Sequence, residues 1–223
     1  MRATRALLRR RTHLRRTRAA LLAHVHNTHS QYTWPESGKQ IASKATRDGV
    51  AARLVDPAVP KSIAVDLALS TSYDQRLSDV ALSSVKAAKH HDAHTRYLLQ
   101  TVPGIGQLLS LGLLYAMHDM DRFPTVQDFV SSCRLGKCAQ EAAGKRVGPA
   151  SKKIGNAPLQ GAFSEAAALF LRNHPAGQKS LARLEKKHAQ GKALTLLAHK
   201  RARAVYYLLK HQTAFHMATF LQS

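Results

Sequence analysis

Residues 98–109 read Leu98-Leu99-Gln100-Thr101-Val102-Pro103-Gly104-Ile105-Gly106-Gln107-Leu108-Leu109, an apolar helical pattern broken by a Pro-Gly-Ile-Gly turn and then resumed. Two short helices joined by a glycine hairpin is the local structure this stretch predicts. Gly104 and Gly106 allow positive φ and a close approach of the chain to another backbone, which a Cβ would block. Ile105, held between them, is expected to point back into the helix pair and anchor the turn. The N–H groups that open the second helix, from Gln107 on, then face outward without partners inside the helix, in a field that favours an anion such as a phosphate. The same letters also suit an ordinary tight loop, and the charge of the rest of the chain tilts the reading toward phosphate.

That charge is extreme. The 223 residues carry 34 Lys and Arg against 13 Asp and Glu, a formal net charge of +21, which repels itself in a compact state and calls for a polyanion. Hydrophobic residues at 44% are enough for a real core, which excludes a disordered basic tail. The first 30 residues hold eight arginines and no acid, whereas Asp48, Asp56, Asp66, Asp74 and Asp79 cluster further on; basic runs return at 134–155 and 179–203. No apolar run reaches membrane-spanning length, and the basic N-terminus is too broken for a secretory signal. A cytoplasmic, nucleoid-associated protein is the expectation. Cys133 and Cys138 lack a second pair for a zinc site and read as reduced thiols.

Outward from the turn, the chain reads as all-α: a long helical hairpin or coiled-coil arm, then a compact helical domain containing the helix-hairpin-helix-like turn. Residues 1–92 form the arm. Its first helix, at 3–26, carries a thin seam of Leu7, Leu14, Leu21 and Val25. Residues 28–60 are a connector punctuated by Trp34-Pro35, Gly38, Gly49, Asp56-Pro57 and Pro60, with a short helix at 37–46. Ser62 caps a second helix running to about 90, with Leu69, Tyr73, Leu77 and Val80 on its buried face. So thin a seam needs a partner, which makes the arm a candidate homo-oligomer contact as well as an internal hairpin.

Residues 93–215 form the helical domain. After the turn come a helix with Leu111, Leu113, Leu114 and Met117, a short helix with Pro124 in its first turn, and a helix capped by Asn156 and carrying Leu159, Phe163, Ala166, Ala167 and Phe170. Helices at 176–189 and 193–211 complete it, the last with Leu194, Leu197, Ala198, Arg201, Val205 and Leu208 near one face. No period-two pattern of useful length predicts a strand. Residues 134–155 therefore read as a loop. Between 144 and 155 it holds Lys145, Arg146, Lys152, Lys153 and three glycines, a flexible cationic segment suited to settle along a DNA backbone beside the glycine hairpin. The candidate DNA-contacting residues are Gly104, Ile105, Gly106, Gln107, Lys145, Arg146, Lys152, Lys153 and Asn156.

Chemistry is harder to find. No paired acids at helical spacing suggest a Mg²⁺ site, and Asp119 and Asp121 read as closing a helix. The histidine clusters His24, His26, His29 and His90, His91, His94 read as polar helix faces, so no metal ligand is assigned. Ser151, between Ala150 and Lys152 in the basic loop, is the one serine in a setting that could stabilise a phosphoryl transition state, and it stands as a fallback nucleophile.

Several separated runs, in order, carry a specific resemblance: Arg2-Ala3-Thr4-Arg5-Ala6-Leu7-Leu8-Arg9-Arg10-Arg11, His90-His91-Asp92, Val102-Pro103-Gly104-Ile105-Gly106, Arg122-Phe123-Pro124, Lys152-Lys153-Ile154-Gly155-Asn156, Ala162-Phe163-Ser164-Glu165-Ala166-Ala167 and Ala198-His199-Lys200. Together they resemble the DEDD-type insertion-sequence transposases, the bridge-RNA-guided recombinases. The resemblance implies an arm followed by a C-terminal transposase domain, with a nuclease-like domain holding four acids and Mg²⁺ placed ahead of residue 1. No cofactor is then expected in this chain, and a truncated, decayed transposase is the expectation. The family serine stands in a Glu-Ser-Ala-Gly-Lys context; the matching run here is Glu141-Ala142-Ala143-Gly144-Lys145, so Ala142 occupies the nucleophile's place. Alanine has no oxygen to link to DNA. The resemblance implies a DNA-binding fragment without autonomous catalysis, with DNA and a structured guide RNA as candidate partners. Its rivals are an active serine-dependent strand-transfer enzyme working with a separate nuclease-like domain, and a basic RNA-binding protein.

Overall fold

The computed structural model of the chain describes residues 2–32, 58–88, 92–136, 139–142, 145–149 and 154–222. The short helix at 37–46, His90, His91, Cys138, Ser151, Lys152 and Lys153 lie outside them. The chain divides into two compact units, Met1–Ala87 and Ala88–Ser223.

The first unit is a pair of 30-residue helices, α1 (Arg2–Gln31) and α2 (Ala58–Ala87). They run antiparallel, since Arg18 pairs with Asp74 at 2.5 Å while His24 Nδ1 lies 2.5 Å from Asp66 Oδ2. Their apolar core is small: Leu22, Val25, Ile63 and Leu67, with Val59 beside them. The first helix extends past both of its expected ends, whereas the second begins four residues earlier than expected and ends at Ala87, short of 90. Ser62 lies inside α2 rather than capping it, because Pro60 falls in the first turn, where a missing N–H breaks no helical bond.

The buried faces also rotate. Leu14 and Val25 are buried as the seam predicts, but Leu22 takes the place of Leu21, and α2 buries Ile63, Leu67, Ser70 and Ser84 instead of Leu69, Tyr73, Leu77 and Val80. Two of the buried residues are serines, and Ser84 satisfies its hydroxyl by donating to Val80 O at 2.7 Å. Leu69 is left 46% exposed, on a shallow cleft shared with Arg10, Leu14, Tyr73, Arg76 and Val80.

Among its described residues, the second unit packs seven helices around one core: α3 (Ala93–Gln100), α4 (Gln107–Met117), α5 (Val126–Ser132), α6 (Ala157–Asn173), α7 (Pro175–Glu185), α8 (Gln190–His211) and α9 (Met217–Gln222). Local signals set most boundaries. Asp92 caps α3 by accepting from Thr95 N, Asn156 caps α6 by accepting from Leu159 N, and Thr125 with Asp128 forms a reciprocal capping box on α5. Pro124 therefore precedes the cap of α5 instead of sitting in its first turn. Phe129 lies at the centre of the core, edge-on to Phe123 at 5.2 Å and to Phe163 at 6.0 Å, with Tyr206 at 5.8 Å. Past residue 215, α9 sends Phe220 into the same core against Phe170.

The helical class holds with one correction. The stretch read as a loop contains a two-stranded antiparallel hairpin, β1 (Ala139–Ala142) with β2 (Lys145–Pro149), whose register shifts between Gln140 and Glu141. Strands of four and five residues are too short to print an alternating pattern, and backbone pairing across a two-residue connection forms them without one.

Candidate nucleic-acid interface

The glycine turn is built as a brace against the chain's own helices. After α3, Thr101 Oγ1 donates to Leu98 O at 2.6 Å and accepts from Phe215 N at 3.0 Å, and Ile105 N donates to Val102 O at 3.0 Å. Val102 and Ile105 are buried at 1% and 3% exposure, so Ile105 anchors the turn as its sequence implied and its side chain faces the core.

The two glycines have different jobs. Gly104 has φ +86°, and a Cβ there would stand 2.6 Å from Ala166 O and 2.9 Å from Phe170 N. Its close approach is to the backbone of α6, not to an external ligand. Gly106 has φ −84° and ψ −178°, extended backbone open to any residue, and a Cβ there would meet nothing within 4 Å. The expectation of positive φ holds for Gly104 and fails for Gly106. Gly106 and Gln107 are exposed, and no side chain caps α4, so the N–H groups of its first turn face outward as the helix geometry dictates.

A residue of the last long helix completes the brace. Arg201 on α8 is fully buried, donates from Nη2 to Pro103 O, and stacks its guanidinium 4.6 Å from the Phe170 ring centroid. Burial lowers its pKa to about 10, still far above neutrality, so a full positive charge sits within the bundle. The sequence placed Arg201 on the buried face of its helix without giving it a job. The signal was there: a lone cation between Leu197 and Val205 on an apolar face needs a buried acceptor.

The basic segment is also anchored. Arg134, at φ +56°, ends α5, and Leu135 N and Gly136 N both donate to Val130 O. On the return, Asn156 N donates to Ser132 O at 2.7 Å, and Arg134 Nε donates to Gly155 O at 2.9 Å. Gly155, at φ +106°, has no room for a Cβ, which would stand 2.8 Å from Ser132 O. The excursion that carries Lys145, Arg146, Lys152 and Lys153 thus leaves and returns at the end of α5. Lys145 and Arg146 belong to β2, with Lys145 paired in register to Ala142 of β1. Asn156 engages both ends of its amide internally, Oδ1 with Leu159 N and Nδ2 with Ala116 O.

That last bond locates the base of the excursion near the C-terminal end of α4, whereas the glycine turn is at its N-terminal end. Eleven residues at 1.5 Å each separate them by about 16 Å. The glycine turn and the base of the excursion therefore stand at opposite ends of α4.

Other groups are structural. Asp119 Oδ1 accepts from Asp121 N, and Asp121 pairs with Lys210 at 2.8 Å, which lowers the Asp121 pKa and raises that of Lys210. Cys133 is buried, and burial pushes its thiol up to about 12. Among the described residues, no three of His, Cys, Asp and Glu converge as a metal site, and no helix is long and apolar enough to cross a membrane.

No curated protein matches the chain. Residues 96–182, from α3 into α7 and including the turn and the β-hairpin, match the Transposase IS116/IS110/IS902 family, which links this part of the chain to the insertion-sequence transposases.

Proposed function

We propose that this chain is a DNA-holding, helical portion of an insertion-sequence transposase of the DEDD, bridge-RNA-guided type, acting at the nucleoid, with residues 1–92 as its arm and 93–215 as its C-terminal transposase domain. The match over residues 96–182 carries the reading, and the +21 charge supports it. In this reading the first-turn N–H groups of α4, reached over Gly106 and Gln107, take one phosphate. Lys145, Arg146, Lys152 and Lys153 on the excursion take others. Gly104, Ile105 and Asn156 hold these contacts in place from within the chain, and the arm pairs with a second copy.

The same reading assigns no strand transfer to residue 142, where alanine offers no nucleophile. Titration with duplex DNA across a salt series tests the binding. Each neutralised phosphate contributes about 0.9 to the slope of log affinity against log salt, so a steep fall is expected, and weak binding indifferent to salt overturns the reading. Competition with a structured RNA separates a guide-RNA partner from DNA alone. A suicide DNA substrate run with the unaltered chain and with Ala142→Ser tests the catalytic part: a covalent adduct with the unaltered chain overturns it.

A further inference from the structure

The brace and the excursion leave the arginines of α1 unused. This helix holds eight arginines, no lysine and no acid. With about 100° of turn per residue, Arg2, Arg5, Arg9, His13 and Arg16 fall within a sector of about 80°, directly opposite the face that buries Thr4, Leu14, Leu22, Val25 and His29. Arg2, Arg9, His13 and Arg16 are exposed and Arg5 is half-buried. At 1.5 Å per residue the row spans about 21 Å.

The described residues of the arm supply this row with no counter-charge. Among its described residues the acids are Asp66, Asp74 and Asp79. Asp66 and Asp74 pair with His24 and Arg18, on the flank of α1 that meets α2. Asp79 is exposed on the side of α2 opposite Ile63, Ser70 and Ser84. Cations three and four residues apart on one helix repel each other, so the row costs stability unless an external anion lines it. The apolar face of α1 is already spent on α2, which leaves nothing to insert into a lipid surface. Four forked guanidinium groups along 21 Å, with the imidazole of His13 between the last two, suit a linear array of phosphates.

We infer that the outer face of α1 is a second contact for a nucleic-acid phosphodiester backbone, made by Arg2, Arg5, Arg9 and Arg16 with His13. It rests on the nucleic-acid reading above, but it is a separate surface on the other unit. The row binds duplex DNA or duplex RNA by the same chemistry, and the experiment tells them apart.

The test uses the full chain in three forms besides the unaltered one: Arg5→Gln/Arg9→Gln/Arg16→Gln, the charge-preserving Arg5→Lys/Arg9→Lys/Arg16→Lys, and a control that removes as many charges from α2, Lys61→Gln/Arg76→Gln/Lys86→Gln. Each is titrated with a blunt DNA duplex and with an RNA duplex across a salt series, after its helicity is matched by circular dichroism. The glutamine variant is expected to lose about 2–3 units of slope on the duplex that α1 contacts, the lysine variant to keep the slope, and the control to lose less than about one. Loss on DNA, on RNA or on both supports the row and names its ligand. A slope no lower than the control's, in a chain that otherwise binds steeply, overturns the row and leaves the proposed function standing; absence of salt-dependent binding by the unaltered chain overturns both. Should the glutamine variant fail to fold, modification of the unaltered chain's arginines by phenylglyoxal decides: Arg5, Arg9 and Arg16 must be protected by bound duplex, and equal reactivity with and without it overturns the row.

Discussion

The two units of this chain handle positive charge in opposite ways. The arm keeps four apolar residues at its core and spreads its arginines over the outside of α1, whereas the bundle joins α3–α9 through a continuous aromatic and aliphatic core and buries one arginine inside it. The difference follows from geometry. Two helices bury one stripe each, so most of an arm is surface, where charge stays hydrated at little cost. Seven helices enclose a volume, and a cation inside it must do something to offset its desolvation; Arg201 does so by bonding the carbonyl of Pro103 and lying on Phe170.

The sharpest way to break this contrast is to remove core volume from each unit. Phe129→Ala, at the centre of the aromatic cluster, is expected to cost about 3–5 kcal/mol in urea unfolding followed by near-ultraviolet circular dichroism. Ile63→Ala in the arm is expected to lower only an earlier loss of helix, leaving the aromatic signal in place. A single transition moved equally by both would mean that the units do not unfold separately.

The glycine turn offers a test of sign. Gly104→Ala forces a Cβ into the backbone of α6 at positive φ and is expected to destabilise by about 2 kcal/mol or more, whereas Gly106→Ala, at an extended and open position, is expected to be neutral or to stabilise by up to about 1 kcal/mol. Thermal melts of the two variants check this, and equal losses would refute the division of labour between the glycines. A smaller effect belongs to the capping box: Thr125→Ala is expected to cost about 1 kcal/mol by denaturant titration, with α5 weakened and α1 untouched.

Acid touches both units. Burial holds the pKa of His29 in the arm and of His199 in the bundle below 6.5, and neighbouring His26 and Arg203 push the same way. The unfolded chain then binds protons that the folded chain refuses, so stability is full above about pH 6.5 and falls as pH drops through that value toward the folded pKa values. The melting temperature is therefore expected to be lower at pH 5.5 than at pH 7.5, and an unchanged melt would mean that His29 and His199 do not set it.

Local chemistry made much of this legible beforehand. Asn156 and the leucine and phenylalanine spacing of α6, the Pro-Gly-Ile-Gly break with Ile105 turned inward, and the acid-free arginine helix all act within a turn or two of sequence. The failures were of another kind. On α2, Ser70 and Ser84 bury with Ile63 and Leu67 while Leu69 is exposed, an outcome that apolar spacing does not encode. The β-hairpin escaped because its strands hold by backbone pairing, and α9 because its one core residue, Phe220, answers to Phe170 fifty residues earlier.

The sequence by itself determined the helical class, the Asn156 cap and the charge, since propensity, capping and charge are properties of neighbouring residues or of the whole composition. Only the tertiary structure decided what Gly104 approaches, why Arg201 is buried, and that the glycine turn and the base of the basic excursion stand at opposite ends of α4. Those facts depend on which backbone comes to lie against which, and distance along the chain does not encode that.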